Sequence, residues 1–239
     1  MRLELLKRAL AASRDGKSAA LLTAIKSGQQ SFYENGAASG EIALDDALHE
    51  GVRRALAGDK NELVESAQGP VFVEVFNPRL RCIIVGAVHI AQPLARMAAL
   101  DGFIVTVVDP RTAFATDERF PGIEVSTEWP DEALEKLKPD RRTAIITLTH
   151  DPKLDDPALS VALRSQAFYI GALGSKRTHA ARLKRLAEAG FGDNEMSRIR
   201  GPVGLDIGAV SPSEIAVSIL AQIVLVLRGE RRGGKAEAA

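Results

Sequence analysis

The stretch Arg81-Cys-Ile-Ile-Val-Gly-Ala-Val-His-Ile-Ala91 decides the fold of this 239-residue chain. Cys82 to Val85 is a short apolar run between a charged residue and a glycine, which predicts a strand buried on both faces. Gly86 permits a tight turn, and apolar residues then recur at helical spacing from Gln92 to Leu100. Strand, glycine turn and helix in this order are typical of the first βαβ unit of a Rossmann-like fold, whose helix N-terminus favours a phosphate group.

The next apolar run, Phe103 to Val108, predicts a second strand that ends at Asp109. Asp109 follows Gly86 at about the distance where dinucleotide-binding folds place the carboxylate that binds a ribose. The full fingerprint, G-x-G-x-x-G/A, is incomplete because Val88 replaces the middle glycine. A β-branched side chain there crowds a diphosphate. The sequence therefore favours a Rossmann-like unit and disfavours NAD(P) bound in the usual pose.

Composition argues against several classes of function. Lys plus Arg and Asp plus Glu are both 31, so no net field attracts nucleic acid or an anionic membrane. Aromatic residues are 5%, too few for a platform on which bases stack. The single cysteine fits a reducing compartment. The N-terminus mixes charges into its apolar pattern, unlike a signal peptide, and the most apolar run, 215–227, is short for a bilayer span. We expect a cytoplasmic protein.

The chain divides by pattern into two domains and a tail. Residues 1–77 predict a small α+β domain with helices near 3–10 and 44–56 and strands at 18–25 and 71–76, ended by Asn77-Pro78. Residues 78–230 alternate strands and helices and predict a Rossmann-like parallel sheet domain. Its remaining strands are expected at 123–126, 143–149 and 167–170, and its remaining helices at 131–137, 154–163, 176–189 and after Ser211-Pro212. Residues 231–239 are expected to be a disordered tail.

The candidate site follows from the strand ends, because ligands of open parallel sheets bind in the crevice at the carboxyl edge. The residues that the sequence places there are Gly86, His89, Asp109, Arg111, His150, Asp151, Gly171, Gly174, Ser175, Lys176 and Arg177. Gly171 to Arg177 predicts a second cradle for an anion, with Ser175 capping a helix and two cations in its first turn. The basic residues from Arg182 to Arg185 are expected to form a solvated helix face.

Other chemistries have weaker support. His150, Asp151, Asp155 and Asp156 lack the spacing of metal ligands, and loop carboxylates are usually solvated. The chain has no G-x-S-x-G motif, and a cysteine in a core strand is a poor nucleophile.

Six segments in order resemble one family. They are Gly-Ala-Val-His-Ile-Ala at 86–91, Val-Val-Asp-Pro-Arg at 107–111, Leu-Thr-His-Asp-Pro-Lys-Leu-Asp at 148–155, Tyr-Ile-Gly-Ala-Leu-Gly-Ser-Lys-Arg-Thr at 169–178, Gly-Pro-Val-Gly-Leu-Asp-Ile-Gly at 201–208 and Glu-Ile-Ala-Val-Ser-Ile-Leu-Ala at 214–221. Together they are similar to the XdhC/CoxI family of accessory proteins for molybdenum hydroxylases such as xanthine dehydrogenase.

The resemblance implies a carrier rather than a metabolic enzyme. Family members bind molybdenum cofactor as molybdopterin or its dinucleotide, support its sulfuration with a sulfur donor, and deliver it to the apo-hydroxylase. It adds Asp206, within Gly-Leu-Asp-Ile-Gly, to the candidate binding residues. A homodimer is left open.

Two alternatives also stay open. Gly86 and Asp109 suit an NAD(P)-dependent oxidoreductase, with His150 as its proton donor. A docking adaptor that has lost its ligand would explain two departures from the family pattern. These are Val88, where the family has Gly, and Ala67 to Pro70, where the family has a Cys-Gly-Gly segment.

Overall fold

The structure, a computed structural model, describes residues 3–229. The chain divides into two compact units, Met1–Arg79 and Leu80–Ala239. The tail expected to be disordered lies outside the described residues.

The first unit is a five-stranded antiparallel sheet with two helices. Its sheet order is β3-β2-β1-β5-β4. The elements are α1 (Leu3–Arg14), β1 (Ala19–Ala24), β2 (Gln30–Glu34), β3 (Ala37–Gly40), α2 (Asp46–Gly58), β4 (Glu62–Ser66) and β5 (Gly69–Phe76). Both predicted helices and strands β1 and β5 are confirmed, whereas β2, β3 and β4 were not predicted.

The three unpredicted strands of the first unit belong to two hairpins, β2–β3 and β4–β5. Asn35 and Gly36 both have positive φ and join β2 to β3 in the tight turn that an Asn-Gly pair favours. Ala67 and Gln68 make the tight turn between β4 and β5.

The second unit is a six-stranded, all-parallel sheet in the order β11-β10-β9-β6-β7-β8. Its elements are β6 (Arg81–Val85), α3 (Ala91–Leu100), β7 (Ile104–Val108), β8 (Glu124–Ser126), α4 (Pro130–Leu137), β9 (Thr143–Thr147), α5 (Pro152–Arg164), β10 (Tyr169–Ala172), α6 (Lys176–Glu188), α7 (Asp193–Met196), β11 (Ile199–Arg200) and α8 (Pro212–Gly229). The predicted fold class, a Rossmann-like parallel sheet with a small α+β region before it, is confirmed.

Both faces of the parallel sheet are buried, as the unbroken apolar run of β6 predicts. Cys82 and Ile84 point into a cluster with residues of α3 and α8. Ile83 and Val85 point the opposite way, into a cluster with residues of α4, α5 and α6. Because successive side chains of a strand point to opposite faces, β6 contributes to two apolar layers, one on each face of the sheet. Burial raises the pKa of the Cys82 thiol to about 12, so it stays protonated.

Strand order places the topological switch point between β6 and β9. From β6 the chain extends the sheet in one direction through β7 and β8, and then crosses back to β9 on the other side of β6. The loops after β6 and β9 therefore leave the sheet side by side. Strand β9 ends at Thr147, two residues earlier than predicted, and frees Thr149 and His150 to form the loop.

Helix α8 is the one helix among residues 3–229 that is long and apolar enough to cross a membrane, judged by length and composition only. Ala216, Ile219 and Ile223 on this helix are fully buried in the core beside α3. A core helix of a globular domain has the same length and composition, so the observation assigns no membrane span.

Candidate functional site at the sheet edge

The glycine turn after β6 lies directly against the loop after β9. Gly86 has φ +106°, and a Cβ there would lie 2.5 Å from Cγ2 of Thr149. Its N–H donates to the carbonyl of Val108 at 2.8 Å, which ties the turn to β7. Val88, half-buried, packs against the core cluster of α3 and α8. The turn therefore requires glycine for both its conformation and its close contact.

Asp109 supports this turn from beneath and has no exposed surface. One carboxylate oxygen accepts from the backbone N–H and the Nε of Arg111, and the other accepts from Arg111 Nη2 and the Ala87 N–H, both at 2.7 Å. Burial alone would raise the pKa of Asp109, but the hydrogen bonds from Arg111 and Ala87 outweigh it and lower the pKa. The sequence places Asp109 where dinucleotide-binding folds bind a ribose, but both of its carboxylate oxygens are bonded inside the protein.

Arg111 is the cation that Asp109 positions. Its side chain is 39% exposed, and its guanidinium lies 4.9 Å from the ring centroid of Phe114. The hydrogen bonds from Arg111 to Asp109, with smaller contributions from the charges of Asp151 and Asp155, raise the pKa of Arg111. The bidentate bonds to Asp109 and the contact with the Phe114 ring hold the guanidinium in one orientation. A guanidinium fixed in this way can bind an anion.

Asp155, in the first turn of α5, organises the loop after β9. It accepts from the Thr149 hydroxyl at 2.6 Å, the Thr149 N–H at 3.3 Å and the His150 N–H at 3.2 Å. His150 is exposed and has φ +63°, an uncommon conformation for a residue other than glycine. Asp151 caps α5 by accepting from the Lys153 N–H. Asp155 therefore fixes the backbone from which the His150 side chain extends.

The Asp155 carboxylate also contacts Arg182 of α6, which bonds to the loop after β10. Asp155 and Arg182 are each 1% exposed, and Arg182 Nη2 lies 3.5 Å from Asp155 and donates to the Leu173 carbonyl at 2.8 Å. Burial raises the pKa of Asp155, opposed by the Thr149 hydrogen bond and the Arg182 charge. The pair joins the loops after β9 and β10.

Arg182 and Asp155 correct two sequence expectations. Arg182 was expected on a solvated basic face and Asp155 among solvated loop carboxylates, yet both are core residues. For Arg182 the sequence did carry a cue, because it lies one helical turn before the buried Leu186 on α6. No local pattern marked the burial of Asp155, since its ion-pair partner, Arg182, is 27 positions away.

The loop after β10 carries the second glycine turn and the start of α6. Gly174 has φ +140°, and a Cβ there would lie 3.1 Å from Thr178 and 3.7 Å from Nδ1 of His150. Ser175 caps α6 by accepting from the Thr178 N–H at 3.1 Å. Lys176 and Arg177 are exposed in the first turn of this helix. The loop thus brings a helix N-terminus and two cations next to the His150 loop.

Three predicted residues lie outside this contact network. Gly171 is buried, and the space that a Cβ would need is taken by Val203 and Tyr169, so its requirement is packing rather than ligand binding. His89 is exposed in the turn before α3, and Asp206 is exposed between β11 and α8. The contacts among the described residues do not join either one to Gly86, His150 and Gly174.

The geometry defines a class of site. Loops after three adjacent strands, β6, β9 and β10, meet at the switch point. They present two glycine turns, a helix N-terminus, the cation Arg111 held by Asp109, and the exposed cations Lys176 and Arg177. Such an edge can hold a phosphate-bearing ligand.

Sequence comparison places the chain in a family. The model of the XdhC Rossmann domain matches residues 82–223, more than half of the chain, so the chain belongs to the XdhC family. The resemblance found in the six motifs is confirmed.

Two curated relatives share this region. The chain is 36% identical over 155 residues to a probable xanthine dehydrogenase subunit of Bacillus subtilis, covering 64% of this chain and 45% of that protein. It is 34% identical over 151 residues to the molybdenum cofactor insertion chaperone PaoD of Escherichia coli, covering 63% of this chain and 41% of that protein. The chain thus spans less than half the length of these relatives.

A solved structure extends the likeness to most of the chain. The crystal structure of a xanthine dehydrogenase from Bacillus halodurans matches with a TM-score of 0.76 at 26% identity, covering 98% of this chain and 70% of that one.

Proposed function

We propose that this protein binds molybdenum cofactor as cargo at the sheet edge and delivers it to a molybdenum hydroxylase. The observation that carries the proposal is the convergence of Gly86, His150 and Gly174, whose close approach forms one rim at the switch point. The relative PaoD, named as a molybdenum cofactor insertion chaperone, supports the choice of cargo. The partner would be an apo-hydroxylase of the xanthine dehydrogenase type in the cytoplasm, and a sulfur donor would be a second partner.

Each residue has a proposed role that follows from its position. The N–H groups of Gly86 and Ala87 are bonded inside the protein, so the backbone N–H groups that receive the phosphate are those at Gly174 and at the start of α6, and Lys176 and Arg177 neutralise it. Arg111, fixed by Asp109, supplies a third cation, and His150 donates to or accepts from the pterin. Asp155 and Arg182 hold the loops in register without touching the cargo. The cargo supplies the metal and its redox chemistry.

We also infer that residues 1–77 are a shortened form of the first domain of the family. The single cysteine of the chain is Cys82, outside residues 1–77, so we assign no cysteine of this region to the cargo. An NAD(P)-dependent oxidoreductase gains no support, because Asp109 has no exposed oxygen for a ribose.

Replacing both cations of the α6 first turn is the direct test. We expect Lys176→Ala plus Arg177→Ala to weaken uptake of the isolated pterin cofactor severalfold, since a phosphate then meets only backbone N–H groups. Uptake is measured anaerobically by ultrafiltration and pterin fluorescence after oxidation. Lys184→Ala plus Lys60→Ala removes the same net charge elsewhere on the surface and should leave uptake unchanged. Undiminished uptake by the Lys176→Ala plus Arg177→Ala variant would mean that the first turn of α6 does not bind the phosphate.

A further inference from the structure

Helix α8 has a second apolar face that the core does not use. While Ala216, Ile219 and Ile223 face inward, Val217 is 47% exposed and Leu225 is 56% exposed. Leu220, Ala221 and Val224 lie between them and are half-buried. These side chains form one wall of a groove of about 670 Å³ whose other wall includes Met97 of α3. The exposed face recurs at spacings of three and four residues, the pattern of a helix that packs against another element.

The ends of this face carry opposite charges. Glu214, in the first turn, accepts from the backbone N–H groups of Val210 and Ser211 through one oxygen, and these hydrogen bonds lower its pKa. Glu214 is therefore anionic at neutral pH and keeps its second oxygen free. Arg228, in the last turn, has no ion-pair partner among residues 3–229. Each end thus presents a charge for an external partner.

We propose that this face binds a second copy of the chain, with the two α8 helices packed antiparallel across a two-fold axis at Ala221. In this arrangement Val217 faces Leu225 of the second copy, because both lie four residues from Ala221. Glu214 likewise faces Arg228 of the second copy, since both lie seven residues away, about 10 Å along the helix. The small side chain at the axis allows close approach of the helices.

Self-complementarity is what favours a second copy over another occupant. A two-fold interface requires that every group meets its complement on an identical surface. The outer face of α8 satisfies this for its charges, its largest exposed apolar residues and its smallest residue. A lipid surface or an unrelated protein would not require charges of opposite sign at equal distances from the centre.

Because the chain has a single, buried cysteine, an introduced cysteine can be cross-linked without competition from other thiols. Cys82 is 1% exposed, so Ala221→Cys adds the one reactive thiol. We expect mild oxidation of the full chain to convert most Ala221→Cys protein into a disulfide-linked dimer, because residues on a two-fold axis meet each other. Val210→Cys, with its side chain 85% exposed in the wild type, is the matched control and should remain largely uncross-linked. Equal cross-linking of the two variants would overturn the proposed axis.

Charge reversal tests the same interface without a covalent bond. Sedimentation of the wild type should show a dimer at micromolar concentration, and Arg228→Glu should raise the dimer Kd at least tenfold by placing two anions together. Arg96→Glu, at an exposed position of α3 that does not line the groove, should leave the Kd unchanged. A wild-type chain that stays monomeric at tens of micromolar contradicts the proposal, and its binding to lipid vesicles as a monomer would assign the face to a membrane surface instead.

Discussion

Replacing Asp155 with alanine is expected to destabilise the parallel-sheet unit by about 3–5 kcal/mol. The change leaves the Arg182 guanidinium without its counter-ion in a site that is 1% exposed, and it removes the acceptor for Thr149 and His150. Urea unfolding followed by tryptophan fluorescence measures it, because the single tryptophan, Trp129, lies at the start of α4 in this unit.

The adjacent carboxylate provides a matched control. Asp156 also pairs with an arginine of α6, Arg185, but their side chains are 20% and 37% exposed. Water can solvate the arginine that remains, so Asp156→Ala should cost less than about 1 kcal/mol. Equal losses in the two variants would mean that burial does not set the strength of the Asp155–Arg182 pair. Asp155→Asn keeps an acceptor for Thr149, so its loss of stability should lie between those of Asp155→Ala and Asp156→Ala.

Replacing Gly86 with alanine should reduce cofactor uptake more than tenfold. The new Cβ would lie 2.5 Å from Thr149 Cγ2 and 3.3 Å from the Thr149 nitrogen, so the loops after β6 and β9 must move apart. That displacement disrupts the rim that receives the phosphate. Uptake is measured by the anaerobic ultrafiltration assay, and urea unfolding reports the accompanying loss of stability.

Substitution of Gly102 is a control that separates the cost of backbone strain from the cost of a steric clash. Gly102 also has positive φ, +92°, but a Cβ there would meet nothing within 4 Å. Gly102→Ala should therefore carry only the cost of the unfavourable φ, about 1 kcal/mol, and keep normal uptake. If Gly86→Ala binds cargo as well as Gly102→Ala, the close approach of the two loops is not required for binding.

The sequence predicts the parallel sheet well because its information is local. The run from Cys82 to Val85 and the glycine after it specify a buried strand and a turn without reference to distant residues. The hairpin partners β2 and β4 were missed for the opposite reason: their burial depends on pairing with β1 and β5, which the linear pattern does not reveal. Strand β11 is only two residues long and carries no period.

The sequence predicted which loops meet at the sheet edge but not what each polar side chain of these loops contacts. Strand ends indicated where Gly86, His150 and Gly174 meet, since that follows from sheet topology. Whether a polar residue faces a ligand or supports the loop depends on its tertiary partners. Asp109 is taken up by Arg111 and Ala87, and Arg182 crosses to Asp155, and no spacing rule distinguishes these from exposed side chains.

The central claim is that the edge formed by Gly86, His150 and Gly174 seats a phosphate-bearing pterin. Native mass spectrometry of the full chain, co-expressed with the cofactor pathway and purified anaerobically, tests it most directly. The account predicts one cofactor bound per chain in the wild type and little or none in Gly86→Ala or in Lys176→Ala plus Arg177→Ala. A wild-type chain without the added mass, or equal occupancy in all three proteins, would contradict it.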